Sequence, residues 1–342
     1  MELTAERLAK FKRLIQNAPS RVIIIRSHID LDSLACPPLM QEILSSFGKT
    51  AELYSAGKPG HPQNQLVLSS FHLTNYQPVS LLAGKRLDDE FLILLDSPSF
   101  EDTRLGITIP RKPNIVVDHH ERPANMEEDE DSWYWHQASG ACASLAAKLM
   151  FELGIKLGTP DPTAALGIIG IFGDTDRLIS RHTTELDREM VAALGRHADQ
   201  NLIHEIFFSA RDTAWMEMIH RAYDPLNFKR GETALVSGLG EIPAAYTDYM
   251  ATIADELIKQ RGITTVYVWA IVDGRVEIKA RTYDKQLDLN QHLKDMFGEK
   301  NGGARDRAVG AAHVDLGITD PTTDRESLVK LWKNVLEQKL LH

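Results

Sequence analysis

The stretch Val116–Ala124, VVDHHERPA, closes a short apolar run with an acid and two imidazoles. A strand normally exits through Gly, Pro, Asn or Ser, so Asp118-His119-His120 at that point calls for a chemical reason. The same grammar recurs on either side. RVIIIRSHIDLDS (21–33) and FLILLDSPS (91–99) are also β-branched or leucine-rich runs that end in acids. Continuous apolar runs of this length suit strands covered on both faces, as in a parallel sheet. LACPPLMQEILSSFG (34–48) and SGACASLAAKLMFELG (139–154) read as the helices between, each stopped by a glycine.

Alternating strand and helix predicts an α/β fold: a doubly wound, mainly parallel sheet in an N-terminal domain over 1–186. A helical connector follows over 187–225, where apolar residues recur at spacings of three and four. The remainder, 226–342, reads as a smaller α/β domain with a mixed sheet. Its centre is TTVYVWAIVDGRVEIKARTY (264–283), a hairpin turning at Asp273-Gly274.

In a sheet of this kind ligands sit beyond the carboxyl ends of the strands. Asp30, Asp32, Asp96, Asp118, His119 and His120 all fall there, and GDTDRL (173–178) adds Asp174 after another apolar stretch, read as a helix or strand ending at Gly173. Crowded carboxylates repel unless they share a proton or a cation, and so many of them make a cation the simpler solution. Oxygen-rich sites with one or two imidazoles suit Mn²⁺ or Mg²⁺ better than zinc. Six or seven ligands exceed the needs of one ion, which predicts two metals about 3.5–4 Å apart, bridged by a carboxylate, as in phosphoryl transfer.

The totals agree with a soluble enzyme. The chain has 342 residues, 43% of them apolar, and no run long enough to span a membrane. The amino-terminal stretch lacks the apolar core of a signal peptide, so a cytoplasmic protein is expected. Two cysteines, Cys36 and Cys142, lie far apart and exclude a disulfide framework or zinc knuckle. A formal charge of −10 argues against wrapping long polyanions.

The ordered motifs resemble those of the DHH phosphoesterases that carry a DHH-associated C-terminal domain, the RecJ-like exonucleases and short-oligoribonucleotide hydrolases. SHIDLDS (27–33), Asp96 in LLDSP, DHH (118–120) and GDTDRL (173–178) occur in family order, and GGARDRAVG (302–310) is similar to the family's glycine-rich element. The resemblance implies Mn²⁺ ligands at His28, Asp30, Asp32, Asp96, His119 and Asp174, with Asp96 the bridge and Mg²⁺ the alternative ion. It implies a supporting carboxylate at Asp118 and an imidazole facing the scissile phosphate at His120. Substrate contacts are implied at Arg281, Gly302, Gly303 and Arg305.

Three departures stand out. Arg26 replaces a histidine that many members place four residues before the first Asp, and Ala304 and Arg305 replace Gly and His of the C-terminal motif. The function expected is Mn²⁺-dependent hydrolysis of a phosphoester in short oligonucleotides or a small nucleotide, with no membrane partner and a homodimer left open. The alternatives are hydrolysis of pyrophosphate or polyphosphate, and a non-catalytic nucleotide binder with a degenerate site.

Overall fold

The computed structural model describes residues 3–27, 29–57, 59, 61–208, 213–304 and 307–341. It divides into two compact units, Met1–Ser209 and Ala210–His342. The first contains α1 (Ala5–Asn17), β1 (Arg21–Arg26), α2 (Leu31–Ser46), β2 (Thr50–Ser55), α3 (Pro62–Ser70), β3 (Tyr76–Pro78), β4 (Leu92–Leu95), β5 (Ile115–Asp118), β6 (Trp133–His136), α4 (Cys142–Glu152), α5 (Pro162–Thr175), α6 (Glu185–Leu194) and α7 (Gln200–Phe208). Its six strands run in the order β3-β2-β1-β4-β5-β6 and every pairing is parallel.

That order reverses direction between β1 and β4, which makes their carboxyl ends the topological switch point. The chain passes there from β1 to α2, which bears Asp32, and Asp96 directly follows β4. The pleat explains why the strands read as unbroken apolar runs. Val22 and Ile24 enter one core while Ile23 and Ile25 enter another, so both faces of β1 are covered.

The two faces are covered differently. All seven helices of the unit place residues in or against the first core. The crossovers of residues 96–114 and 119–132 contain no α-helix, and Phe100, Leu105, Ile109 and Met126 close the opposite face from loops.

The second unit contains α8 (Thr213–Tyr223), β7 (Phe228–Arg230), β8 (Ala234–Glu241), α9 (Thr247–Leu257), β9 (Thr265–Val272), β10 (Arg275–Thr282), α10 (Leu289–Phe297), β11 (Gly302–Ala304), β12 (Val309–Asp315) and α11 (Arg325–Leu341). Its sheet, in the order β11-β12-β10-β9-β8-β7, is mixed: β8 and β9 are parallel and the other pairs antiparallel. The β9–β10 turn has positive φ at Asp273 (43°) and Gly274 (77°), the geometry expected of an Asp-Gly hairpin. Among the described residues no helix is long and apolar enough to cross a membrane.

Candidate metal centre

Asp32 sits in the first turn of α2, wholly buried, and accepts hydrogen bonds from the amides of Cys142 (2.6 Å) and Ala143 (2.7 Å). Those amides open α4, so the positive end of that helix helps hold an acid two helices away in sequence. The donors favour the carboxylate. Burial and the facing Asp96 and Asp174 outweigh them and push the Asp32 pKa well above the usual range.

Asp30 is the N-cap of α2, its carboxylate accepting from the Ser33 amide at 2.8 Å while the Ser33 hydroxyl accepts from the Asp30 amide at 3.0 Å. The two acids therefore stand on a helix start, not along a strand. Among the described residues Asp30 is in neither of the ligand groups that converge on His119.

Asp96 has φ 53°, a left-handed conformation that Asp tolerates better than most residues. Its amide donates to the Val117 carbonyl at 3.1 Å and its carbonyl accepts from the Ser27 hydroxyl at 3.0 Å, which locks the chain between β1 and β5. Only 3% exposed, its carboxyl is pushed up by burial, against the pull of the neighbouring His119.

His119 is the hub. Its Nδ1 meets the Ser139 carbonyl at 3.2 Å, so the proton belongs on Nδ1 and Nε2 presents a lone pair in the neutral ring. That Nε2 is buried without a hydrogen-bond partner, and it faces Asp96 at 3.4 Å, Asp174 at 3.8 Å and Asp32 at 3.9 Å. Burial works against a charged ring, but Asp96, Asp32 and Asp174 prevail and raise its pKa to about 10.

His120 lies beside it, rings edge to face with centroids 4.4 Å apart. Asp118, wholly buried, takes both the His120 amide (3.0 Å) and its Nδ1 (2.8 Å), which leaves Nε2 of a half-buried ring as the working nitrogen. The ligand atoms of Asp96, His119 and His120 lie within 4.8 Å of one another, as do those of Asp32, His119 and Asp174. The two groups share His119.

The donor set fits a divalent cation. With its pKa at about 10, the His119 ring holds a proton against these carboxylates in the metal-free chain, and divalent cations would take that proton's place between the imidazole and the acids. Hard oxygen donors with imidazole suit Mn²⁺ or Mg²⁺.

Of the remaining sequence expectations, His28 and Arg305 lie outside the described residues. Asp174 falls in the last turn of α5, a helix that runs past Gly173. Arg26 turns away from the cluster: Nε donates to the Ser55 hydroxyl (2.9 Å) and Nη1 to the Ser33 carbonyl (3.1 Å). Pro37, lacking an N–H, leaves that carbonyl without its helical donor, so the arginine fills a gap that the sequence itself creates. Burial lowers its pKa to about 10. In the second unit Arg281 is paired with Asp255 at 2.5 Å. Gly302 and Gly303 form β11, and a Cβ on Gly302 would stand 2.3 Å from the Leu293 carbonyl.

Sequence reasoning missed Asp187. Wholly buried, it accepts from the amides of Gly140 (2.8 Å) and Thr184 (2.7 Å) and from the hydroxyls of Thr184 (2.7 Å) and Ser144 (2.6 Å), tying α6 to α4 and its entry turn. Thr184 with an acid three residues on was the available signal.

Comparison with known structures supports this reading of the fold. The chain aligns over 99% of its length, and 99% of the other's, with an exopolyphosphatase-related protein from Bacteroides fragilis, at 13% identity and a TM-score of 0.66. The two chains share one fold. Among curated sequences, an uncharacterized protein of Methanocaldococcus jannaschii is 28% identical over 323 residues, 93% of this chain and 63% of that protein. A manganese-dependent inorganic pyrophosphatase of the same organism is 27% identical over 196 residues, 54% of this chain and 58% of that protein. The chain thus spans less than two thirds of the length of these relatives. No family model matches it.

Proposed function

We propose that this DHH-fold chain is a divalent-metal-dependent hydrolase of phosphoester bonds, with Mn²⁺ as its metal in two neighbouring sites and a short oligonucleotide or small nucleotide as its substrate. The observation that carries the reading is the convergence of Asp32, Asp96 and Asp174 on the buried Nε2 of His119, at 3.4–3.9 Å. Asp96, which stands in reach of both histidines, is the residue best placed to bridge. Divalent cations bound here would lower the pKa of a water and clamp the phosphoryl oxygens.

The protein groups contribute orientation and proton handling. Asp118 holds His120 through two hydrogen bonds to its amide and Nδ1, so its Nε2 is left to donate to a phosphoryl oxygen or to the departing oxygen. Ser139 fixes the ring of His119 in the same way. The second unit, with Arg281 and the Gly302–Gly303 segment, is the proposed substrate-holding part, over the range 226–342.

A second reading, hydrolysis of an inorganic phosphoanhydride, is favoured by the resemblance to curated manganese-dependent pyrophosphatases over about half the chain. One panel separates the two. The purified protein with Mn²⁺ is offered di- to pentanucleotides of RNA and DNA, 3′-phosphoadenosine 5′-phosphate, a cyclic dinucleotide, a 24-mer, pyrophosphate and polyphosphate. Cleavage of the short oligomers or the bisphosphate nucleotide, lost in Asp96→Asn and His120→Ala, is the expected result. Turnover of pyrophosphate or polyphosphate alone would establish the second reading, and no turnover by a metal-loaded chain would leave a nucleotide binder.

A further inference from the structure

The segment that follows Asp96, SPSFEDTR (97–104), is fixed at successive points although it contains no α-helix. Pro98 offers its carbonyl to Nε2 of His136 at 3.0 Å, the Ser99 hydroxyl accepts from the Glu101 amide at 3.1 Å, and Phe100 is buried in the core under the sheet. Ser97, wholly buried, donates to Asp102 Oδ2 at 2.8 Å. Asp102 in turn grips Arg104 through Nε (2.9 Å to Oδ2) and Nη2 (2.7 Å), and accepts from the Arg104 amide at 2.9 Å.

The guanidinium is thus aimed by a relay that starts at the residue next to Asp96. Its Nη1 has no partner among the described residues, and its side chain is 37% exposed while that of Asp102 is only 7% exposed.

We propose that Arg104 is a substrate-phosphate anchor at the rim of the centre, with Asp102 and Ser97 as its positioning residues. This rests on the phosphoesterase reading above and extends it to a residue outside the acid and histidine motifs. An exposed ion pair between residues two apart contributes little to stability, so a buried serine and a nearly buried acid behind it are more than a surface pair requires. Asp102 occupies one edge of the planar fork and leaves the Nη1 edge for a phosphate oxygen.

The partner acid also cancels most of the arginine's charge. Arg104 then supplies direction more than net attraction, which suits a phosphate whose charge is countered by bound cations. A lysine has no second edge and could not face Asp102 and a phosphate in this geometry.

The test uses the full chain and two titrations: Mn²⁺ into the metal-free protein, and inorganic phosphate into the Mn²⁺-loaded protein, for the unaltered chain, Arg104→Gln, Arg104→Lys and Asp102→Asn. Hydrolysis of the p-nitrophenyl ester of thymidine 5′-monophosphate is followed in parallel. The expected result is unchanged Mn²⁺ affinity in all four. Phosphate binding should weaken by roughly ten- to a hundred-fold in both Arg104 variants, as for loss of a charge-assisted hydrogen bond, and by less in Asp102→Asn. KM for the ester should rise more than kcat falls.

Phosphate binding within twofold of the unaltered chain in Arg104→Gln would overturn the anchor. Phosphate binding without ester hydrolysis in the unaltered chain would count against the choice of substrate and leave the anchor to be decided by the titration. Metal binding with no phosphate binding at all would overturn both.

Discussion

His119, Asp32 and Asp96 govern how the metal-free protein responds to pH. Each holds its proton more tightly in the folded chain than its ordinary value allows: the imidazole to about 10, the two carboxyls in the same upward direction. The folded state therefore binds more protons than the unfolded one, and stability falls as pH rises. The His119 contribution is full below the ordinary value near 6.5 and is lost as pH climbs through about 10, while the acids begin to cost stability above the ordinary carboxylate range. Stripped of metal, the protein should melt lower at pH 8.5 than at pH 6, by roughly 2–4 °C per kcal/mol lost. Saturating Mn²⁺ should abolish that difference, since the cation replaces the proton. Equal melting temperatures in the metal-free protein at both pH values would contradict it. These residues were legible from the order of their motifs along the chain, since a strand-end acid taken alone is more often a helix cap. Arg104 and Asp187 were not, since a lone arginine or acid in a polar stretch is told from a surface charge only by its buried partners.

At the scale of elements, α2, α4 and α5 must meet closely for Asp32 and Asp174 to converge on His119. Gly170 makes this possible: a Cβ there would lie 2.5 Å from the Ala35 Cβ, 3.1 Å from the Ala143 Cβ and 3.2 Å from the Leu31 carbonyl. One methyl would push the helix bearing Asp174 off the helix bearing Asp32. Gly170→Ala should cost about 1–3 kcal/mol by overpacking and weaken Mn²⁺ binding, read by thermal melting and metal titration. An unchanged melting temperature would show that the junction has slack. The strands β1, β4 and β5 and their parallel sheet could be read from apolar runs because both faces of these strands are buried. The lack of helices in the β4–β5 and β5–β6 crossovers could not, because scattered residues such as Phe100 and Met126 cover that face without periodicity.

For the whole molecule, each unit has its own cores, Phe11 to Ile206 around the first sheet and Met218 to Leu340 around the second. Among the described residues, the acids and histidines brought together as possible metal ligands belong to the first. A ligand that binds one folded unit raises the stability of that unit alone by mass action. Calorimetry should therefore resolve two transitions, with Mn²⁺ raising one and leaving the other in place; a single transition that moves as a whole would show that the units unfold together. Net charge also divides unevenly, −9 over residues 1–225 and −1 over 226–342, so the acidity belongs mainly to the metal-binding part. Composition showed that asymmetry, but the field at the site depends on burial that only the fold supplies.

The most direct test of the metal centre is a titration of the metal-free full chain with Mn²⁺, followed by electron paramagnetic resonance and calorimetry together. Two saturable sites per chain, a spin-coupled signal, and loss of at least the second site in Asp96→Asn are the predicted result. Failure to bind Mn²⁺, or binding that Asp96→Asn leaves unaltered, would contradict the claim that Asp32, Asp96, Asp174 and His119 form a two-metal site.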